Sequence, residues 1–224
     1  MKITLLIICL IVNNVIFAQN HFTVHLNPDG DTVSYDNYFS YIVSGEYKIA
    51  YNRKSNTRTL VASSEEKYIK EERKTEKRIS IDKHIGQSFP SFELIDISGE
   101  KCTLEQLKGK VVVLNFWFIG CAPCEMERPV LNTLREFYRG NDDVVFLAFA
   151  KNEKEKLNKF LINHPVSYTV FPSSNDYLKT QFDIDSYPQN IILDRKGNYW
   201  FEGSGSGIGI AEILRRKVEQ ALVN

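Results

Sequence analysis

Two cysteines three positions apart, Cys121 and Cys124 in NFWFIGCAPC (115–124), admit three chemistries: half of a zinc site, an inert crosslink, or a dithiol that exchanges electrons with other proteins. Zinc sites normally recruit four ligands, often two such pairs or one pair with suitably spaced histidines. Here the histidines, at 21, 25, 84 and 164, are scattered, and no second C-x-x-C occurs. A crosslink closing a two-residue loop removes little entropy from the unfolded chain. Redox exchange suits the placement better. Strand formers at 110–117, KVVVLNFW, lead through a turn at 118–120 to a cysteine at the expected start of a helix. Unpaired N–H groups and the positive helix end favour a thiolate there. Pro123 fits the first helical turn, where it loses no hydrogen bond. Cys124, one turn inward, is expected to be more buried and to act as the resolving thiol.

In the implied cycle the Cys121 thiolate attacks a partner disulfide, and Cys124 then attacks Cys121 and releases the reduced partner. The reverse sequence oxidises a dithiol. Ala122 adds neither charge nor imidazole between the cysteines, which leans toward a reducing pair. Glu127, three residues beyond Cys124, is either a helix-capping or solvated carboxylate or the group that takes a proton from Cys124; Glu125 is expected to face solvent. Exposed backbone at Gly120, Ala122 and Pro123 forms one wall of a substrate groove. The segment SYPQN (186–190) supplies the other, with a cis peptide before Pro188 bringing Tyr187 against the cysteine loop and offering backbone groups to an extended segment. Pro165 and Pro172 read as ordinary loop prolines.

The elements that must hold these residues alternate in type. KVVVLNFW reads as a strand buried on both faces, followed by a helix over 122–138 with Val130, Leu134, Phe137 and Tyr138 on its apolar side. A second apolar strand spans 144–150. A charged helix over 153–161 touches the sheet through Leu157 and Phe160, and a strand at 167–171 and a short helix at 175–182 come next. NIILD (190–194) and NYWFEG (198–203) form a hairpin about RKGN, and a last helix covers 208–222. The prediction is an α/β fold with a central mixed sheet flanked by helices. The glycine series at 203–209 lacks both nucleotide-loop spacings and reads as an approach to the last helix, so no nucleotide cofactor is expected.

The chain's 224 residues, 43% apolar and 25% charged, suit one sizeable core with a small accessory region. The first eighteen residues, MKITLLIICLIVNNVIFA, have the layout of a secretory signal, or of a retained anchor if uncleaved. Their removal takes away only Lys2, leaving 27 basic against 28 acidic side chains. That balance gives no general attraction to nucleic acid or an anionic membrane. Cys102 is then the one cysteine outside the pair, either a buried thiol or a second resolving group. Residues 19–64 form an N-terminal extension with strand-like pieces YKIAYN (47–52) and TRTLVA (57–62). A charged stretch over 65–83 reads as a solvated connector with a short helix, ahead of a compact domain at 84–224.

The segment GQSFPSFELIDISGEKCTLEQLKGKVVVLNFWFIGCAPCEMERPVLNTL (86–134), continued by SYPQNIILDRKGNYW (186–200), resembles the thioredoxin-like thiol-disulfide reductases of the bacterial periplasm grouped with cytochrome c maturation proteins, with a redoxin or AhpC/TSA-like domain. The resemblance implies a thioredoxin fold with an N-terminal extension and an insertion. It puts the attacking thiol on Cys121, the resolving thiol on Cys124, the active-site carboxylate on Glu127, a helix-kinking proline on Pro129 and the cis proline on Pro188. Trp117 matches the family's strand aromatic beside the groove. Asn115 stands where cytosolic thioredoxins carry a buried aspartate, which makes Glu127 its substitute. The implied partners are a protein dithiol or disulfide client and an upstream membrane or periplasmic thiol donor. No cofactor or metal is implied, and the location is the periplasm, free or tethered through residues 1–18. Gly120 replaces the tryptophan usual before the first cysteine, and Tyr187 replaces the threonine or valine usual before the cis proline. Rival readings are a disulfide oxidase or isomerase, a protein-binding module without turnover, and a thiol peroxidase. The last needs threonine and proline three and seven positions before its cysteine, where this chain has Phe118 and Leu114.

Overall fold

Alternating strand and helix signals beyond residue 84 resolve into a mixed five-stranded sheet covered on both faces. The computed structural model describes residues 24–26, 29, 31–33, 37–38, 41, 46–52, 57–62, 66–205 and 210–224. Residues 1–18, on which the expected leader falls, lie outside them. Among the described residues no helix is long and apolar enough to cross a membrane.

Ahead of the main sheet, β1 (Val24–Leu26), β2 (Tyr47–Asn52) and β3 (Thr57–Ala62) form a small sheet in the order β1-β3-β2. The two strand-like pieces of the extension thus pair antiparallel, Tyr47 opposite Ala62. Helix α1 (Glu66–Ile79) follows, then the short antiparallel pair β4 (Glu93–Ile95) and β5 (Lys101–Thr103). The central strand β6 (Val111–Trp117) precedes α2 (Ala122–Phe137), β7 (Val144–Ala150) and α3 (Lys154–Asn163). Next come β8 (Thr169–Pro172), α4 (Asn175–Phe182), the hairpin strands β9 (Gln189–Leu193) and β10 (Tyr199–Ser204), and α5 (Ile210–Leu222).

The sheet order is β10-β9-β6-β7-β8, with β6, β7 and β8 parallel and β9 and β10 antiparallel to their neighbours. Strand β6 is buried at every residue, as a strand covered on both faces must be. Its period-2 alternation divides the core. Val111 and Val113 face α2 and α5, while Val112, Leu114 and Phe116 face an aromatic layer with Phe89, Phe92, Phe149 and Phe182. Phe116 and Phe149 stack at 5.0 Å between centroids, as do Phe89 and Phe182. The odd-numbered face also carries Asn115 and Trp117 toward α2, and the site is built there.

Two local expectations differ from the structure. On α2 and its C-cap the expected apolar side holds at Val130, Leu134 and Tyr138, joined by Leu131, but not at Phe137, which is 48% exposed. The charged stretch before residue 84 is a 14-residue helix rather than a free connector. Its last residue, Ile79, is buried, and Glu76 pairs with Arg216 at 2.5 Å and Lys217 at 2.7 Å on α5. Burial works to raise the Glu76 carboxyl, but these two cations outweigh it and hold it below the usual carboxylate range. The chain then runs straight onto the sheet edge, Ile81 N–H donating to the Glu202 carbonyl at 3.0 Å. The extension also docks, since Tyr38 and Leu60 lie in the same core as Leu134, Ile213 and Val218. The glycine series starts within β10, where Gly203 is a strand residue as expected and Ser204 ends the strand; its residues 206–209 lie outside the described ones.

Candidate active site

Strand β6 delivers Trp117 to its carboxyl end, and the chain must turn sharply to begin α2. Gly120 makes the turn at φ +91°, a conformation that favours a residue without Cβ. Cys121 N–H donates to the Phe118 carbonyl at 3.2 Å, and Ile119 N–H donates to Asn152 Oδ1 at 2.8 Å, fixing the loop to the end of β7. Cys121 is the N-cap of α2. Its Sγ accepts the Cys124 N–H at 3.3 Å, satisfying one of the donors that a helix start leaves free. Pro123 lies in the first turn, and Pro129 lies inside the helix, where it has no N–H to give the Glu125 carbonyl.

Cys121 and Cys124 are joined as a disulfide, with Cα atoms 5.2 Å apart. Both residues are 5% exposed, so Cys124 is not the more covered of the two as expected; the difference between them is position, one sulfur capping the helix and the other inside its first turn. Around them Gly120, Ala122 and Pro123 are exposed. Trp117 is only 5% exposed and packs against Phe160, ring centroids 5.8 Å apart, so it backs the pair instead of lining an open groove. Across from the loop, the Tyr187–Pro188 peptide is cis, and the Tyr187 ring meets Phe118 edge to face at 5.3 Å.

Glu127 lies one helical turn beyond Cys124 and is 2% exposed. Its Oε1 accepts the Asn190 amide at 2.8 Å and its Oε2 accepts the Asn115 amide at 3.4 Å; Asn115 also donates to Asn190 Oδ1 at 3.0 Å. Asn115 and Asn190 are register partners on β6 and β9, so the sheet itself places both amides under the helix. Burial raises the Glu127 carboxyl to about 8, against the two amide bonds, which act to lower it. A carboxylic acid poised there can take or give a proton near neutral pH. The Tyr168 hydroxyl is likewise raised, mainly by burial and also by the Glu127 charge.

Tyr187, which precedes the cis proline, packs against the cluster that contains Trp117, Cys121 and Cys124, and Glu127 follows Cys124 by one turn of the same helix. Glu125 differs from its expected solvated position: it is 26% exposed and paired with Arg128 at 3.3 Å, whose guanidinium also meets His164 Nδ1 at 3.2 Å. Cys102 is a free, half-covered thiol pushed up by burial, away from the pair on β5. Pro172 ends β8 rather than lying in a loop. Sequence reasoning missed Asn190, which only its register with Asn115 connects to Glu127. It also missed Lys151, whose ammonium lies over Phe118 and Tyr187. Among the described residues no group of three or more His, Cys, Asp or Glu is arranged to hold a metal ion.

A sequence model of the AhpC/TSA family matches residues 85–198, from the segment entering the aromatic layer to the β9–β10 turn. This chain belongs to the AhpC/TSA family. Its relatives include the thioredoxin-like protein YneN of Bacillus subtilis, 31% identical over 139 residues that cover 61% of this chain and 78% of that one. The thiol-disulfide oxidoreductase ResA of Bacillus cereus is 28% identical over 113 residues, 50% of this chain and 65% of ResA. Among solved structures, a thiol:disulfide interchange protein of the thioredoxin family from Chlorobium tepidum superposes with a TM-score of 0.51 at 22% identity, over 60% of this chain and 95% of that one. The last likeness establishes the thioredoxin fold. Three and seven positions before Cys121 stand Phe118, engaged with Tyr187, and Leu114, fully buried in the aromatic layer.

Proposed function

We propose that this protein is a thiol-disulfide oxidoreductase that reduces disulfides in exported proteins. The observation that carries the reading is a C-x-x-C pair at the start of a helix with a buried carboxylic acid one turn away. In the reduced form the Cys121 thiolate attacks one client sulfur, the client S–S bond breaks, and the departing client sulfur leaves as a thiolate that takes up a proton. Glu127 accepts the Cys124 proton, and the Cys124 thiolate attacks Cys121. The second client sulfur leaves, and the Cys121–Cys124 disulfide closes. Two electrons pass from the pair to the client. An upstream thiol donor restores the dithiol by the same exchange in reverse, and no cofactor takes part. The names of relatives such as ResA support the activity, and the resemblance to cytochrome c maturation reductases supports clients of that class. The signal-like residues 1–18 support export to the periplasm, with a tether there if they are retained. A peroxidase is disfavoured because neither Phe118 nor Leu114 supplies a polar cradle for peroxide.

The reduction potential tests the direction. With no charge at Ala122 to lower the thiolate further, the pair equilibrated in defined thiol buffers is expected near about −250 mV or lower. A value near about −120 mV would make it an oxidase, and no exchange with any dithiol would leave only the binding module.

A further inference from the structure

Lys151 follows β7, and its backbone N–H donates to the Trp117 carbonyl at 2.9 Å, which ties it to the root of the cysteine loop. Its side chain doubles back over the groove. Nζ lies 4.4 Å from the Phe118 ring centroid and 4.8 Å from that of Tyr187. The two rings are perpendicular, and both pack against the cluster that contains Cys121 and Cys124. One ring therefore belongs to the turn whose carbonyl receives the Cys121 N–H, and the other to the residue before cis-Pro188. The ammonium is held where the two walls of the site meet. Among the described residues it forms no ion pair with a carboxylate. Asp185 acts on the Tyr187 hydroxyl, whose upward shift comes first from burial, but does not pair with Lys151.

Aromatic faces attract a cation without accepting its N–H groups as an oxygen would, so donors remain for a carboxylate. We propose that Lys151, steadied by Phe118 and Tyr187, selects client segments that carry an acidic residue close to the target cysteine. The inference rests on the exchange reading above and adds its substrate class: acidic, cysteine-containing peptide segments. It also gives a purpose to Tyr187, the bulky ring at a position that needs none for the cis bond. Partial exclusion of water when a client docks would strengthen the pairing, and salt would weaken it.

Two single-cysteine peptides, alike except for aspartate or lysine flanking the cysteine, are each prepared as the mixed disulfide with 2-mercaptoethanol. Their reduction by the reduced protein is followed, and each rate is divided by that with dithiothreitol, which also attacks as a thiolate but carries no cationic group, to remove intrinsic reactivity. The aspartate peptide is expected to react roughly five- to tenfold faster at low ionic strength, with the ratio falling toward one in ~0.5 M salt. Lys151→Met should bring the ratio near one, and Lys151→Glu should invert it. Because each ratio is taken within one protein, a general loss of activity in a variant does not affect it. A lysine that only covered the rings with its stem would leave the wild-type ratio at one, and that result, or a ratio unchanged in Lys151→Met, would overturn the selection alone. Failure of the wild-type protein to open either peptide disulfide would overturn the exchange reading and the selection with it.

Discussion

Cys124→Ser will turn the protein from a turnover reductase into a trap. With serine in the helix's first turn, the Cys121 thiolate still attacks a client disulfide, but nothing attacks Cys121 in return and the mixed disulfide persists. Turnover of a peptide disulfide should fall on the order of 10³-fold or more, as expected when a member of a covalent relay is removed. Non-reducing electrophoresis of the variant after incubation with an exported-protein fraction should show adducts that dithiothreitol releases. Cys121→Ser should lose turnover equally and form none. The asymmetry follows from position, since only Cys121 caps α2 and follows the Gly120 turn. Equal trapping by the two variants would assign both sulfurs the same role and contradict it.

Glu127→Gln will change both the stability profile and the rate profile with pH. In the folded disulfide form burial holds this carboxyl near about 8, against 4.5 for the ordinary group. Below pH 4.5 the group is protonated folded or unfolded and contributes no pH dependence. Between 4.5 and about 8 the folded state keeps a proton that the unfolded state has lost, so stability falls as pH rises. Over that span of three and a half pH units, at ~1.4 kcal/mol each, the loss is on the order of 5 kcal/mol. Glutamine cannot ionise and should remove that slope. Urea unfolding at pH 5 and pH 9 would read it as several kcal/mol of relative gain for the variant at the higher pH; a parallel profile would place the carboxyl at an ordinary pKa. Release of a peptide from the mixed disulfide should slow about 10²-fold in Glu127→Gln and lose its rise through pH 8. Asn190→Ala, which removes an N–H bond that lowers the Glu127 carboxyl, should shift that rise to higher pH.

Much of this site is legible in the linear chain because its chemistry is local. A run of strand formers, a glycine turn, a cysteine N-cap and a proline in the first turn are neighbours in sequence, and each constrains the next. The carboxylate at 127 is also within reach of that logic, one turn along the same helix. What surrounds it is not. Asn190 lies 63 positions from Glu127, in a strand that begins with Gln189 and continues as Ile191, Ile192 and Leu193. Its part depends on the β6–β9 register, which no local pattern encodes. Lys151 reads as a charge after a strand until the fold brings Phe118 and Tyr187 to either side. The same holds for α1: its charges suggest a solvated segment, and only the position of α5 makes Glu76 a buried-edge partner of Arg216 and Lys217. Trp117 shows the opposite failure, since a family match suggests a groove residue but strand alternation directs the ring inward.

The most direct measurement is the pH dependence of alkylation of the reduced, folded protein by iodoacetamide, with the modified residue mapped at each pH. Early labelling is predicted to fall on Cys121, with a midpoint well below ~8.5, the value of a free cysteine thiol. Labelling of Cys124 first, or two thiols that both titrate near ~8.5 and react no faster than free cysteine, would contradict it.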